Sequence, residues 1–442
     1  MISRVLAVIA RLLLATFYQR VDVVGVERVP SRGPVVIVAN HQNALVDPLL
    51  LLGRLPRALR PVAKAPLFRY PVLGWMLRLI GAIPVHRRHE SDGGPDRNAA
   101  AFARVTDLLA AGEAVLLFPE GVSQPAPVLM PLRTGAARLV LGAEHLKGGA
   151  LGVTLLPVGL VYEEPGTFRA GRALILVGQP VPTGDLIRAY AEDPAAAVRA
   201  LTDRTAEALR ALVIEAEDRR TLQLVTVIRR LWGERPGGDA ADHAAWVRGV
   251  MRVYEGLRHA EPARVAHFRL ELERYEKDRE LAGVDDRLPE RYRAARVVSY
   301  ALREGGSLLL GAPLALWGVF VHALPYRPTG LVVRALGPDD DMVATVKIVV
   351  SMLAYPVCWA LEAWLLAYLA GPVALILFLV ALIPSGFFAL DWQLRLRRFR
   401  GQTAGFLAFL FRPDLHRRLR ARRRALRAEL DALAGRRLEA HS

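Results

Sequence analysis

The chain has 442 residues and 53% of them are hydrophobic, which suffices to bury a large core and to form more than one structural unit. The 59 lysines and arginines exceed the 43 aspartates and glutamates, and the net charge of +16 indicates an anionic partner: nucleic acid, a membrane surface or a phosphorylated substrate. The single cysteine, Cys358, excludes an internal disulfide and a cysteine-based zinc site.

The first twenty residues are apolar but interrupted by arginine. Arg4 and Arg11 lie seven positions apart, hence on one helical face, and no small-residue cleavage site follows them. Residues 1–20 are therefore predicted to form an amphipathic helix in the membrane interface rather than a signal peptide. An ordinary helix that packs on the core is the alternative.

Residues 21–186 alternate between β-rich runs and helical stretches. The runs "PVVIVA", "EAVLLFP" and "VTLLPVGLVY" are short, apolar and bounded by turn residues. This alternation predicts an α/β domain with a mixed sheet. Residues 187–306 are rich in Ala, Arg, Glu and Leu at helical spacing and are predicted to form a helical region. Three roles are compatible with this pattern: covering the site, binding a partner or supporting a membrane anchor.

The chain becomes strongly apolar over residues 307–390. Residues 348–390 are long enough for two membrane spans with a turn at 370–372, which predicts a transmembrane helical hairpin. The stretch 307–326 has the length of a span but contains Gly311, Pro313 and Gly318, so it is predicted to be interfacial or re-entrant.

A basic tail, residues 391–442, follows the hairpin. Eleven arginines fall between positions 395 and 424, whereas the loop at 327–341 holds two arginines and three aspartates. The positive-inside bias places the tail in the cytoplasm. If the hairpin is the only crossing, the α/β domain also faces the cytoplasm, at the inner membrane. If residues 307–326 span the membrane as well, the α/β domain and the C-terminal tail lie on opposite sides of the membrane. Anionic lipid headgroups are the expected partner of the tail, since no aromatic-interleaved pattern indicates nucleic acid.

A histidine follows the first strand of this domain. Residues 35–39 read as a strand, so His41 lies just past its carboxyl end, and Asp47 before Pro48 fits a helix N-cap. On one continuous helix Asp47 would be rotated by about 240° from His41, so a direct contact requires a bend, which Asn43 and Pro48 favour. A carboxylate on one imidazole nitrogen raises the basicity of the other, giving a general base. A capping aspartate beside a structural histidine is the alternative.

Three further stretches carry polar residues at strand ends. In "GAIPVHRR", Arg87 and Arg88 follow a short strand, where guanidinium groups are suited to clamp a phosphate. In "LLFPEGVSQ", a tight turn presents Glu120 and Gly121, and "LLPVGLVY" is a buried strand interrupted by Pro157. Each stretch is a weak signal when taken alone.

Taken in order, the four stretches resemble the motif blocks of the glycerophospholipid acyltransferase family over about residues 35–160. The first block, N-H-x-x-x-x-D, is matched by Asn40, His41 and Asp47. The second, G-x-I-x-V-x-R, is matched by Gly81, Ile83, Val85 and Arg87. The third, F-P-E-G-x-S, is matched by Phe118, Pro119, Glu120, Gly121 and Ser123. The fourth, V-P-V-G, is matched by Pro157 and Gly159, with Leu156 in place of its valine.

One spacing departs from the family pattern. Five residues, Gln42 to Val46, separate the histidine from the aspartate where the family has four. This longer form resembles the branch of fungal-type glycerol-3-phosphate and dihydroxyacetone-phosphate acyltransferases, which also carry a C-terminal membrane region.

The resemblance implies an enzyme of phospholipid biosynthesis that acylates glycerol-3-phosphate, dihydroxyacetone phosphate or lysophosphatidic acid. It implies that His41 is the general base, that Asp47 orients it, that Arg87 holds the acceptor phosphate, and that Glu120 and Gly121 shape the acceptor site. Beside these family positions, Lys64, Arg69, Arg88 and Arg133 are candidate secondary phosphate ligands, and a solvated surface position is the alternative for each. The donor is an acyl thioester, acyl-CoA or acyl carrier protein, and no cofactor or metal is expected.

Two other functions compete with this interpretation. A lysophospholipid or non-phosphorus lysolipid acyltransferase would tolerate loss of Arg87. A membrane scaffold or lipid-transfer protein of the same fold would have lost activity through the altered spacing between His41 and Asp47.

Overall fold

The computed structural model describes most of the chain in segments. These are residues 18–86, 95–124, 128–162, 171–213, 261–281, 294–337, 340–411 and 413–438, with scattered positions in 8–15, at 227 and 228 and in 254–260. The chain forms two compact units. The first comprises residues 1–222, 238–245 and 337–349, and the second comprises 223–237, 246–336 and 350–442.

The first unit is built on a seven-stranded sheet. Its strands are β1 (Tyr18–Val24), β2 (Val35–Ala39), β3 (Leu59–Lys64), β4 (Ile83–Val85), β5 (Ala114–Leu117), β6 (Thr154–Tyr162) and β7 (Gly171–Val177). They lie in the order β1-β7-β6-β2-β5-β3-β4, and neighbours are parallel except for β6 and β7. The predicted α/β domain with a mixed sheet is confirmed.

Six helices of this unit flank the sheet or its edges. They are α1 (Val46–Arg54), α2 (Pro71–Leu79), α3 (Pro95–Ala110), α4 (Gly135–Leu146), α5 (Gly184–Ala189) and α6 (Pro194–Arg210). Short 3-10 turns occupy Val26–Arg28 and Ala65–Arg69. Every residue of β2 and β5 is buried, as expected for central parallel strands whose two faces are both covered.

The boundary of this unit differs from the predicted end at residue 186. Val198 and Leu201 of α6 are buried in one apolar cluster with Leu141 of α4 and Val115 of β5. The composition of α6 is that of an exposed helical region, but its apolar stripe faces the sheet. Residues 194–210 therefore belong to the α/β unit rather than to a separate helical region.

The side chain of Asn40 continues the sheet where β2 ends. Its Nδ2 donates to the carbonyl of Leu160 at 2.9 Å, and its Oδ1 accepts the Leu160 N–H at 2.7 Å. Asn40 is only 2% exposed, so water has little access to these groups. The paired bonds fix the end of β2, and thereby the loop that follows, against β6.

Replacing Asn40 by alanine is expected to lower the free energy of unfolding by about 2 to 4 kcal/mol, because two buried backbone groups of Leu160 lose their partners. The thermal midpoint of the purified protein, followed by tryptophan fluorescence, measures the loss. Thr205→Val is the control, since the Thr205 hydroxyl donates within its own helix, to Leu201 O at 2.6 Å. Equal midpoint shifts in the two variants would contradict the bridging role of Asn40.

The N-terminal segment is helical at its described positions and packs on α1. Ala10 and Leu14 are each 2% exposed, and Arg11 Nε donates to the carbonyl of Gly53 at 2.6 Å. Val8 and Leu12 on the other face are about half exposed, at 51% and 50%. One face thus packs on the core, as in the alternative interpretation, while contact of the outer face with lipid stays a prediction. The segment is also shorter than predicted, because β1 already begins at Tyr18.

The second unit is helical. It contains α7 (Pro262–Leu281), α8 (Ala294–Leu336), most of α9 (Asp340–Phe411) and α10 (Pro413–Leu438). Helix α9 is broken at Gly371, where φ is 82° and ψ is −177°, inside the predicted turn at 370–372. Trp359 and Ala363 before the break pack in one apolar cluster with Phe378 and Leu382 after it. The two arms of α9 therefore fold back on each other as a helical hairpin.

Among the described residues, two helices are long and apolar enough to cross a membrane, Val298–Leu336 and Thr345–Gly405. The predicted interfacial stretch 307–326 is not a separate element, since it lies within α8, which continues through its prolines. Large apolar side chains such as Leu310 (87% exposed) and Tyr368 (78% exposed) lie on the outer surface of these helices. Exposed apolar surface of this extent is typical of contact with lipid or with another protein.

Part of the basic tail pairs with acidic residues. Arg422 of α10 forms ion pairs with Asp278 at 2.6 Å and with Glu271 at 3.4 Å, both on α7. Leu419 and Leu426 of α10 are buried. The tail is therefore a packed amphipathic helix in this region, and its binding to anionic lipid stays a prediction.

Candidate active site

The candidate site lies at the carboxyl ends of three adjacent parallel strands. His41 follows β2, Glu120 follows β5 on one side, and Tyr162 ends β6 on the other side. Because the strands are parallel, their carboxyl ends meet at one edge of the sheet, where α/β proteins commonly bind ligands.

The loop between His41 and Asp47 bends, as a direct contact requires. His41 Nδ1 lies 2.8 Å from Asp47 Oδ2. The bend passes through Ala44, whose φ is 26°, and closes with a bond of 2.7 Å from the Val46 N–H to the Asn43 carbonyl. The predicted N-cap position of Asp47 is wrong: α1 begins at Val46, so Asp47 is its second residue. The carboxylate turns back towards the loop instead of capping the helix.

The Asp47 carboxylate is fully buried, with 0% exposure, and both of its oxygens accept hydrogen bonds. Besides His41, Oδ2 accepts the backbone N–H groups of Gln42 at 2.7 Å and Asn43 at 2.9 Å. Oδ1 accepts the phenolic O–H of Tyr162. These donors make a buried negative charge tolerable in a site that excludes water.

This arrangement assigns the proton positions on His41. An ionised carboxylate only accepts hydrogen bonds, so Nδ1 of His41 carries the hydrogen that lies towards Asp47. In the neutral imidazole, Nε2 then holds the lone pair. The His41 side chain is 18% exposed, which leaves room for a hydroxyl group to reach it. The pair therefore has the geometry of a general base.

The third motif block fastens the histidine loop to the end of β5. Glu120 Oε1 accepts the His41 N–H at 2.7 Å, and the Gln124 N–H donates to the His41 carbonyl at 3.0 Å. Ser123 Oγ accepts the Ala44 N–H at 2.9 Å at the point of the bend. The Phe118 ring stacks on the imidazole with centroids 4.1 Å apart. The residues of this block thus hold His41 in place.

Glu120 occupies a structural position within the site. Its second oxygen, Oε2, accepts the Met130 N–H at 3.0 Å, and the side chain is only 3% exposed. Glu120 therefore holds the loop at His41 and the segment at Met130 together. Its predicted role in shaping the acceptor site stays a prediction.

Burial raises the pKa of the Glu120 carboxyl above its usual value of 4.5, and the N–H groups of Met130 and His41 oppose the shift. The folded state then binds this proton more tightly than the unfolded chain, so the stability it contributes is full at low pH and is lost as pH rises through the raised pKa. We expect the thermal midpoint of the wild type, relative to Glu120→Gln, to fall from pH 4.5 upwards. Scanning both proteins from acid to neutral pH measures this, and a constant difference would contradict it.

The other predicted ligands are distributed along the same edge. Gly121 has φ of 72°, and a Cβ there would lie 2.8 Å from Arg133 Cδ, so glycine lets the exposed Arg133 side chain cross the turn. Lys64 ends β3 and is partly buried. Arg87 and Arg88 lie outside the described residues, and their predicted phosphate contacts stay predictions.

In the fourth block, the glycine makes room for packing. A Cβ on Gly159 would lie 2.7 Å from Leu212 Cβ, so a larger residue would displace the segment that follows α6. Pro157 lies opposite Val38 in the β2–β6 ladder. Tyr162, three residues after Gly159 on β6, donates its hydroxyl hydrogen to Asp47. A tyrosine at the end of a buried strand is typical of a core residue, and only the register of the strands reveals its contact.

Fold and site together define an α/β domain with a hydrogen-bonded histidine–aspartate pair at the carboxyl edge of its sheet. The family model described as Acyltransferase matches residues 20–161, so this chain contains an acyltransferase family domain.

Several acyltransferases are similar to parts of the chain. An uncharacterized acyltransferase of Schizosaccharomyces pombe is 25% identical over 51% of this chain and 46% of its own length. A chloroplastic 1-acyl-sn-glycerol-3-phosphate acyltransferase of Brassica napus is 27% identical over 37% of this chain and 46% of its own length. Glycerol-3-phosphate O-acyltransferase 2 of Saccharomyces cerevisiae is 25% identical over 62% of this chain and 39% of its own length. The chain thus spans less than half the length of each of these relatives.

Proposed function

We propose that this chain is a membrane-bound O-acyltransferase of phospholipid biosynthesis. It transfers a fatty acyl group from an acyl thioester to the hydroxyl of glycerol-3-phosphate, dihydroxyacetone phosphate or lysophosphatidic acid. The observation that carries the proposal is the 2.8 Å contact between His41 Nδ1 and Asp47 Oδ2 at the carboxyl edge of the sheet. The acyltransferase family domain and the printed functions of the named relatives support the same reaction.

The reaction follows from the geometry of the base. Nε2 of His41 takes the proton of the acceptor hydroxyl while the oxygen attacks the thioester carbonyl. The tetrahedral intermediate collapses, the C–S bond breaks, and the thiolate takes the proton from the imidazolium. Asp47 stabilises the positive charge that His41 carries between the two proton transfers. No covalent intermediate on the enzyme is required.

The acceptor is held by its phosphate in this proposal. Arg87 is the principal ligand, because it matches the arginine of the second motif block and comes two residues after the end of β4 in the sequence. Lys64 at the end of β3 and Arg133 beside Gly121 supply further positive charge along that edge. A planar guanidinium binds a phosphate through two parallel hydrogen bonds, which fixes the acceptor hydroxyl relative to the base.

The membrane location follows from the chemistry of the acyl chain and from the apolar helices. The donor's acyl chain and the product both partition into lipid, and two helices in the described part of the chain are long and apolar enough to cross a membrane. The basic tail supports a cytoplasmic orientation of the active site, at the inner membrane. The donor is then acyl-CoA or acyl carrier protein, both of which are cytoplasmic thioesters.

An acyl-transfer assay tests the proposal. Membranes from cells that express the wild type or His41→Asn are incubated with labelled palmitoyl-CoA and, in parallel, with each of the three acceptors. We expect the wild type to label one of them and the variant to label none. The same membranes are then offered palmitoyl acyl carrier protein and a series of lysolipids.

Each outcome assigns a different function. Product from a lysolipid alone, unchanged in an Arg87→Ala variant, would replace the phosphorylated acceptor by a lysolipid. If no pair of donor and acceptor gave a product, the proposed enzymatic function would be rejected in favour of a membrane scaffold or lipid-transfer protein with this fold.

A further inference from the structure

The acyl-transfer proposal leaves the hydrogen bond between Tyr162 and Asp47 unused. Oδ2 of Asp47 binds three donors, one from His41 and two from the backbone of Gln42 and Asn43. Oδ1 accepts the hydroxyl of Tyr162, which is 4% exposed and comes from the strand next to β2. The phenol thus binds the carboxylate oxygen that faces away from the imidazole.

The surroundings keep this hydroxyl protonated. Burial, together with the charge of Asp47, raises the pKa of the Tyr162 hydroxyl well above its usual value. Tyr18, a second buried phenol on β1, has its ring centroid 6.0 Å from that of Tyr162, and its pKa is raised by the same two causes. Tyr162 therefore remains a hydrogen-bond donor throughout the pH range in which a histidine titrates.

We propose that Tyr162 is a positioning residue that sets how strongly Asp47 holds a proton on His41. A donor on Oδ1 draws part of the carboxylate charge away from Oδ2 and fixes the plane of the carboxylate. Without it, the charge falls more fully on the imidazole, and the protonated, inactive form of the base persists to higher pH. The effect on catalysis rests on the proposed acyl transfer, whereas the effect on the protonation of His41 does not.

The groups that face the pair are few within the described residues. Tyr162 approaches from β6, Tyr18 from β1 and Glu120 from the loop after β5, and each of them interacts electrostatically with Asp47. The hydrogen bond to Oδ1 comes from Tyr162 and not from Tyr18. Tyr18→Phe is therefore a matched control that removes a buried hydroxyl from the same place without removing this bond.

The test measures protonation of His41 directly. Diethyl pyrocarbonate modifies neutral imidazole, so the rate at which the His41 peptide is modified, followed by mass spectrometry against pH in the full-length protein, gives the titration midpoint. We expect Tyr162→Phe to move this midpoint up by about one pH unit, the size of one hydrogen bond to a charged group. Tyr18→Phe is expected to leave it in place. Coincident midpoints for Tyr162→Phe and wild type would overturn the inference.

Two further variants test whether a shift in Tyr162→Phe comes from a folding defect rather than from loss of the hydrogen bond. Fluorotyrosine introduced at position 162 by stop-codon suppression keeps the ring and the bond but makes the hydroxyl a stronger donor, so the midpoint must move down. In an Asp47→Asn background, Tyr162→Phe must have no effect, because there is no charge left to share. A shift that survives in that background would reduce Tyr162 to a packing residue.

Kinetics separates this inference from the proposed reaction. If the chain is the proposed acyltransferase, the acid limb of kcat/KM for Tyr162→Phe rises by the same amount as the midpoint, while KM for the acyl donor stays unchanged. A wild type without acyl transfer, whose His41 midpoint nonetheless shifts in Tyr162→Phe, would reject the proposed reaction and leave the positioning role intact. An acid limb that does not follow the midpoint would overturn the catalytic part of the inference.

Discussion

Replacing His41 by alanine is expected to lower the rate of acyl transfer by about 10²- to 10⁴-fold, the contribution of a general base, while the domain stays folded. The imidazole side chain contributes one hydrogen bond, to Asp47, and one ring contact, with Phe118. The bonds that fix the loop come instead from the backbone of His41, which pairs with Glu120 and Gln124 and is unchanged by the substitution. Initial rates in membranes, normalised to the amount of protein, measure the loss.

Two companion variants make this result specific to the base. In His41→Asn the side-chain amide lies where Nδ1 was and keeps a donor towards Asp47, yet it has no basic nitrogen, so we expect the same loss. His145→Gln alters an exposed histidine at the end of α4 that contacts Tyr190, and it is expected to leave the rate unchanged. Retention of wild-type rate in His41→Asn would exclude proton transfer by His41.

The sheet and the position of His41 at its carboxyl edge were predictable because they depend on local patterns. Each buried strand is a short β-branched run bounded by turn residues, and polar residues that follow such runs collect at one edge of a parallel sheet. His41 and Glu120 each follow such a run, so both are expected at that edge, whereas the adjacency of β2 and β5 depends on the strand order of the sheet.

The partners of Asp47 were not predictable from the same patterns. Tyr162 reaches the carboxylate only because β6 pairs with β2 in a particular register, with Val158 opposite Ala39. A shift of one residue would turn the side chain to the other face of the sheet. The backbone donors at Gln42 and Asn43 depend on the bend at Ala44, whose positive φ has no sequence signal in an alanine.

The α/β unit extends beyond its predicted end at residue 186 for a related reason. Helix α6 has the charged composition of a solvent-exposed helix, yet Val198 and Leu201 lie in the core of the sheet domain. Periodicity shows that a helix has an apolar face but not which surface that face covers. The same limit applies to Gly159, whose contact with Leu212 becomes visible only after folding.

Asp47→Asn is expected to lower acyl transfer by about 100-fold or more, since it removes the charge that stabilises the imidazolium while leaving the shape of the site. The asparagine oxygen takes the place of Oδ2 as acceptor for the N–H groups of Gln42 and Asn43, and its amide faces the Tyr162 hydroxyl, which accepts as well as donates. The acid limb of kcat/KM is expected to move to lower pH, because the protonated base is less stable without the carboxylate. A pH–rate profile with saturating donor measures both effects.

Loss of a buried carboxylate also lowers stability, so the comparison needs a second buried acid. Glu144 is 0% exposed and accepts the N–H groups of Leu151 at 3.1 Å and Val153 at 2.6 Å, without a histidine partner. Glu144→Gln is therefore expected to lower the thermal midpoint while the rate per folded molecule stays at the wild-type level. If Asp47→Asn behaved in the same way, Asp47 would only support the fold, and the charge on the imidazolium would need another source of stabilisation.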